Sequence, residues 1–460
     1  MRWLTSWDTA GGGTSVVDNQ FLVYAFVIYL CLLLVIGWKI MGSFAIGSAD
    51  SQRKSGTGRW QTVVAGFYLI LMCTQYWPIE GGGTSMVKVS FMCLSPVVLF
   101  VAWRFGIHLK VIVCVAACLS WKFLVAYFQT TPLRPEALAY SVAFFMTYMM
   151  FYTLVYNGCF SRNQARTLLE TLFWAYVAVL VIQQIYSFAG GREWPLMNLF
   201  SARAHVLKCQ SLSLEPSHSG RILGAVFYAL LKIWEYQKGT RLSIGDLWAE
   251  HRWLTVGFLY AMISMQSATA IFVLLLLLLY FFSWKYVLPL IMIFMLLPTI
   301  AEVTESYELK RVIAIMESVT TGNTEEAIAA DESGSYRVAP MLNMLNADYG
   351  DVKLWTGHGI DTTRDIVLPN ISQSRYDVLP GEILDIGIFG YLLSLILVFS
   401  CAVRPFFSLP TLMFFLIIGG GTNNVAYVWG ILMIFTICGY FYEQMHRSTD
   451  RRPPFYSADS

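Results

Sequence analysis

The chain has 460 residues, of which 57% are hydrophobic and only 13% charged, against about 45–50% and about 25% in a soluble domain. Its mean hydropathy is +0.57, more apolar surface than a soluble fold can hide, which leaves a polytopic, all-α integral membrane protein. Net charge is +2, from 31 basic and 29 acidic residues, so no global field points to nucleic acid as a partner.

The first 20 residues, with Arg2, Asp8, Asp18 and a Gly-Gly-Gly run, do not read as a cleavable signal. A membrane span needs about 20 mostly apolar residues. Candidates fall near 21–38, 61–78, 89–103, 111–128, 137–157, 168–189, 220–235, 253–267, 268–284, 286–301, 383–403, 408–420 and 425–442, which predicts about 12–13 transmembrane helices. The run 253–284 is too long for one upright helix, and Gln266-Ser267 in its middle predicts a tight pair turning there. Nine cysteines are scattered with no CxxC pair, and no HExxH appears, so neither a disulfide framework nor a metal site is expected, and no cofactor is called for.

Basic residues flank spans on the cytoplasmic side. Lys39, Arg53, Lys54 and Arg59, then Arg104 and Lys110, then Arg162 and Arg166, and finally Arg447, Arg451 and Arg452 in the tail 443–460 are placed inside. The amino terminus is then outside. Residues 1–300 form the main helical body, with an outside loop at 190–219; 301–382 is a large outside loop, and 383–442 the last spans. The large loop carries fourteen acids against six bases, a net charge of −8. Its amphipathic stretches Leu309–Ile315 and Val338–Leu345 predict short surface helices.

Three constellations stand out. Ser213-Leu214-Glu215-Pro216-Ser217-His218-Ser219-Gly220-Arg221 lies at the outer end of a span. It reads first as a helix start, broken at Pro216, capped by Ser217 or Ser219, and running from about 220. The same geometry offers free N–H groups and a partial positive charge to a diphosphate, with Glu215 and His218 as partly desolvated candidate bases. The outside arginines Arg192, Arg203, Arg221, Arg337 and Arg375 have the planar fork that grips phosphate; each can equally pair with the nearby acids or with lipid headgroups. Asp377 through Gly390 places Glu382 and Asp385 on one face of a span's first turns, while Gly387 and Gly390 at the same spacing allow close helix packing. Gly357-His358-Gly359 reads as a simple turn, and Gly419–Asn424 as a helix hairpin.

The order of these features resembles the bacterial O-antigen or exopolysaccharide polymerases (Wzy-type), in the superfamily that also holds the O-antigen ligases. The pieces that match are Arg203 followed by Leu214-Glu215-Pro216-Ser217, the turn Gln266-Ser267-Ala268-Thr269, Arg337 ahead of Gly357-His358-Gly359, and the stretch Leu384 to Gly390. The similarity covers roughly 200 to 400. Where many relatives, ligases above all, carry a His-Asn pair, this sequence reads Arg375-Tyr376-Asp377, which argues against a ligase.

The resemblance implies a GT-C-like glycosyltransferase in the bacterial inner membrane. It would transfer a growing glycan from undecaprenyl diphosphate onto a new lipid-linked repeat unit, without a metal. Arg203, Arg221, Arg337 and Arg375 would bind the diphosphate; Glu215 would be the leading base, with His218, Asp377 and Glu382 in reserve. A flippase and a chain-length regulator are the implied partners. The other readings are a ligase, or a lipid-linked oligosaccharide flippase, for which charges within spans would be a signature.

Overall fold

The computed structural model describes residues 58–74, 86–106, 108–129, 135–189, 208–281, 347–362, 381–403 and 425–450, with isolated positions at 296, 298, 313 and 344. Among these there is no strand. In chain order the helices are α1 (Gly58–Cys73), α2 (Met86–Cys93), α3 (Ser95–Ala102), α4 (Leu109–Phe128), α5 (Pro135–Tyr156), α6 (Arg162–Phe188), α7 (Pro216–Lys238), α8 (Ile244–Ser264), α9 (Ala268–Leu278), α10 (Val352–Thr356), α11 (Gly381–Cys401) and α12 (Ala426–Asp450). Among the described residues six segments are long and apolar enough to cross a membrane: 88–105, which joins α2 and α3, and α4, α5, α6, α11 and α12. The chain is a multi-pass, all-α membrane protein. The spans expected at 21–38, 286–301 and 408–420 lie outside the described residues, as do the surface helices of the large loop and the hairpin at Gly419–Asn424.

Local chemistry sets the helix ends. A capping box closes the start of α6, where Gln164 N–H donates to Ser161 Oγ (3.2 Å) and Ser161 N–H to Gln164 Oε1 (2.9 Å). Ser243 and Asp246 repeat the device at α8. α7 begins with Pro216 in its first turn and stops at Gly239, whose φ of 76° supplies the left-handed residue that ends a helix. α8 ends at Ser264, Gln266 turns the chain at φ 48°, and α9 starts at Ala268, so the pair does turn at Gln266-Ser267.

α7 is the central helix, buried along nearly its whole length. It packs against α6, α9 and α12. Gly220 and Gly224 let α9 approach: a Cβ on Gly220 would sit 2.8 Å from that of Ala270. On α12, fully buried Trp429 stacks on Phe144 (5.8 Å between ring centres, 4° between planes) and meets Phe145 edge-on at 4.9 Å.

The two ends of the bundle differ chemically. The starts of α1 and α6 and the ends of α5 and α12 meet at one end, where Tyr156 donates to Glu443 (3.1 Å) and His108 bonds Asn157 (3.0 Å). A cavity of about 620 Å³ lined by Thr62, Arg162, Gln164, Tyr440 and Gln444 opens there. Arg104, Lys110 and Arg162 belong to this end. The amino ends of α7, α9, α11 and α12 lie at the other, which positions the candidate site.

Candidate functional site at the amino ends of α7 and α12

The loop leading into α7 is held by side chains from α6. Gln183, fully buried, donates to Ser211 O (3.1 Å) and accepts from Ser211 N–H (2.7 Å). Ser211 Oγ donates to Tyr176 O (2.6 Å), and the Tyr176 hydroxyl donates to Cys73 O (2.5 Å) while accepting from Ser213 Oγ (3.1 Å). Ser219 Oγ reaches back to Gln210 O. Ser211 sits at φ 58°, a conformation that costs about 1–2 kcal/mol in an ordinary residue and that this set of bonds maintains. Burial of Cys209 in the same loop pushes its thiol up to about 11, so it is not a nucleophile at neutral pH.

The helix starts four residues earlier than the sequence suggests. Glu215 is the N-cap, extended at φ −139° and ψ 149°, and its carbonyl accepts from His218 N–H (3.1 Å) and Ser219 N–H (3.2 Å). Neither Ser217 nor Ser219 caps: Ser217 Oγ donates to Glu215 Oε2 (3.0 Å), and Ser219 is committed to Gln210. The Glu215 carboxylate is 45% exposed, with His218 Nε2 3.8 Å away. It is therefore a partly exposed carboxylate beside an imidazole.

His218 and Arg221 share a partner that sequence reading missed. The Tyr427 ring lies against the His218 imidazole, with centres 4.3 Å apart and planes at 29°. Arg221 Nη1 donates to the Tyr427 hydroxyl at 2.5 Å, and its guanidinium carbon is 5.6 Å from the ring centre. Arg221 Nε is shut off from solvent, with no hydrogen-bond partner among the described residues. A buried guanidinium N–H without an acceptor costs free energy that a ligand oxygen would recover.

The chain matches no protein-family model, no curated protein and no solved structure. The chemistry of the site has to be read from its own geometry.

A second polar cluster surrounds α11. The helix breaks at Gly387 (φ 72°, ψ 174°), which frees the carbonyls before it. His358 N–H takes that of Leu384 (2.9 Å), Gly359 N–H that of Asp385 (3.1 Å), and Trp121 Nε1 that of Ile386 (2.8 Å). Gly357-His358-Gly359 is thus more than a turn: it docks as backbone on the break. Gly387 is the break itself and not a helix-packing glycine, while Gly390 packs on Trp121. Glu382 and Asp385 lie ahead of the break, and Glu382 Oε1 accepts from Ser394 Oγ (3.0 Å). Both act electrostatically on Lys122 of α4, an intramembrane lysine only 5% exposed. Lys122 escaped sequence reading, although one lysine inside an apolar run is a visible signal.

Of the eight residues singled out from the sequence, the structure brings Glu215, His218 and Arg221 together and sets Glu382 in the α11 cluster. Arg203, Arg337, Arg375 and Asp377 lie outside the described residues. Among the described residues no group of three His, Cys, Asp or Glu could hold a metal ion.

Proposed function

We propose that the protein is a membrane glycosyltransferase of the polysaccharide-polymerase kind, which moves a growing glycan from undecaprenyl diphosphate to a hydroxyl of a new lipid-linked repeat unit. The observation that carries this reading is Arg221: a guanidinium near the amino end of the central helix, with a solvent-free N–H that has no partner among the described residues, about one turn from an imidazole and two from a carboxylate. The order of motifs in the sequence supports it. In the reaction the acceptor oxygen bonds to C1 of the donor sugar as the C1–O bond to diphosphate breaks. The hydroxyl proton passes to Glu215, with His218 in reserve, and undecaprenyl diphosphate leaves. Arg221, joined by Arg203, Arg337 and Arg375 from the flanking loops, stabilises the charge that builds on the diphosphate.

Deleting the gene in its native host and resolving the surface polysaccharide on a gel tests this. A ladder collapsed to single repeat units, restored by wild type and not by Glu215→Gln, supports polymerisation; an unchanged ladder refutes it.

A second reading is export of the lipid-linked unit. Lys122 beside Glu382 and Asp385, at a broken helix within the membrane, favours it, because intramembrane charges at helix breaks mark transport pathways. Loss of all surface glycan, with lipid-linked units accumulating inside the same deletion strain, would select export.

A further inference from the structure

We propose that Tyr427 is a ligand-binding residue of the α7 site and that, with Arg221, it recognises a diphosphate through its own hydroxyl proton. This rests on the reading of that site given above and extends it to a residue on a different helix, 206 positions away in sequence.

A phenol oxygen can accept and donate at the same time. Tyr427 accepts from Arg221 Nη1 at 2.5 Å, which commits a lone pair and leaves the O–H to donate. Accepting from a cation also polarises that O–H and makes it a stronger donor, as in any chain of hydrogen bonds. Arg221 contributes its solvent-free Nε–H, which has no acceptor among the described residues. The O–H and the Nε–H therefore belong to one hydrogen-bonded pair and point from different edges of it. The Glu215 carboxylate faces His218 and Ser217. The unit sits where α7 and α12 both begin, so the partial positive ends of a 23-residue and a 25-residue helix add to it.

Tyr427 is held in place by its surroundings. It is 6% exposed, and its ring is fixed by the His218 face. Two residues on, Trp429 is locked between Phe144 and Phe145, which prevents the start of α12 from rotating. An anion with oxygens on two linked phosphorus atoms has the span to meet both donors. The prenyl diphosphate end of a lipid carrier brings that group to the surface of the bilayer.

The test is binding of farnesyl diphosphate to the full-length protein in nanodiscs, with EDTA present, followed by calorimetry, with farnesol as the control for the lipid chain. Wild type is expected to bind farnesyl diphosphate and not farnesol. Tyr427→Phe keeps the ring on His218 and removes only the hydroxyl, and it is expected to weaken binding about tenfold or more, the loss of one charge-assisted hydrogen bond. Arg221→Lys should weaken it further, since the fork is lost. An unchanged melting temperature in Tyr427→Phe shows that the fold is intact. If wild type binds farnesyl diphosphate and Tyr427→Phe binds it equally well, the role given to Tyr427 is overturned while the site stands. If wild type fails to discriminate the diphosphate from farnesol, the diphosphate reading of the whole site falls.

Discussion

Arg221 and Tyr427, 206 residues apart in the chain, share a 2.5 Å hydrogen bond that ties the second turn of α7 to the first turn of α12. Because the Tyr427 ring also lies against His218, one side chain sets the position of two candidate functional groups. Glu215 is held at its own end of the helix by the Ser217 hydroxyl. These two dependences make the variants separable.

Replacing Glu215 by Gln removes a base and keeps the shape. We expect transfer to fall by about 10²–10⁴-fold, the usual worth of general base catalysis, with diphosphate binding little changed. Measuring both on one preparation separates chemistry from recognition. Comparable losses in both would assign Glu215 to binding.

At the break in α11, Gly387 takes a left-handed φ of 72°, and a Cβ there would meet Trp355 O and lie 2.5 Å from Gly357 N. Gly387→Ala should therefore cost about 2 kcal/mol or more, from backbone strain and from displacement of the docked turn. Gly239 has a similar φ of 76° with open space around it, so Gly239→Asn should cost no more than a few tenths of a kcal/mol. Thermal unfolding of the two variants in detergent compares them directly.

Lys122 faces two carboxylates in a nearly solvent-free setting. Lys122→Met removes a favourable charge and should destabilise the fold, as should Glu382→Gln, which also loses an acceptor for Ser394. The double variant should recover part of the loss, with a coupling of about 0.5–3 kcal/mol in a double-mutant cycle. Strict additivity would show that the two charges do not interact.

Asp246 caps α8 and lies 2.6 Å from Lys238. The Lys238 ammonium, helped by Ser243, holds the Asp246 carboxyl down to about 2, below the roughly 3.9 of an unfolded aspartate. The folded state thus favours the charged form. The stabilisation is fully present above about pH 4 and is lost as pH falls toward 2. The melting temperatures of wild type and Asp246→Asn should differ at pH 7 and converge near pH 2. A constant difference across that range would rule out the pairing as its origin.

Much of this was legible without coordinates, and the reasons are local. Hydropathy over 18 or more residues marked the spans, and Gln266-Ser267 marked the turn between α8 and α9. Pro216 and Gly239 delimit α7 through backbone restrictions that act on near neighbours. Glu215, His218 and Arg221 fall within seven residues, so one helix end was bound to keep them close.

The rest required the chain to close on itself. Nothing near Tyr427 in sequence reveals that it meets Arg221, and nothing near Gly357 reveals that its turn completes the hydrogen bonding of a helix broken at Gly387. Gln183 is an ordinary polar residue in a span until the loop at Ser211 is laid against it. Buried donors and acceptors inside a helical bundle must find partners. When the local backbone cannot supply one, the partner comes from wherever the helices happen to pack. Sequence by itself therefore determined that this is a multi-pass helical membrane protein with a polar helix start. Only the tertiary structure decided which distant side chains complete that start, because those contacts are set by packing between helices and not by neighbours along the chain.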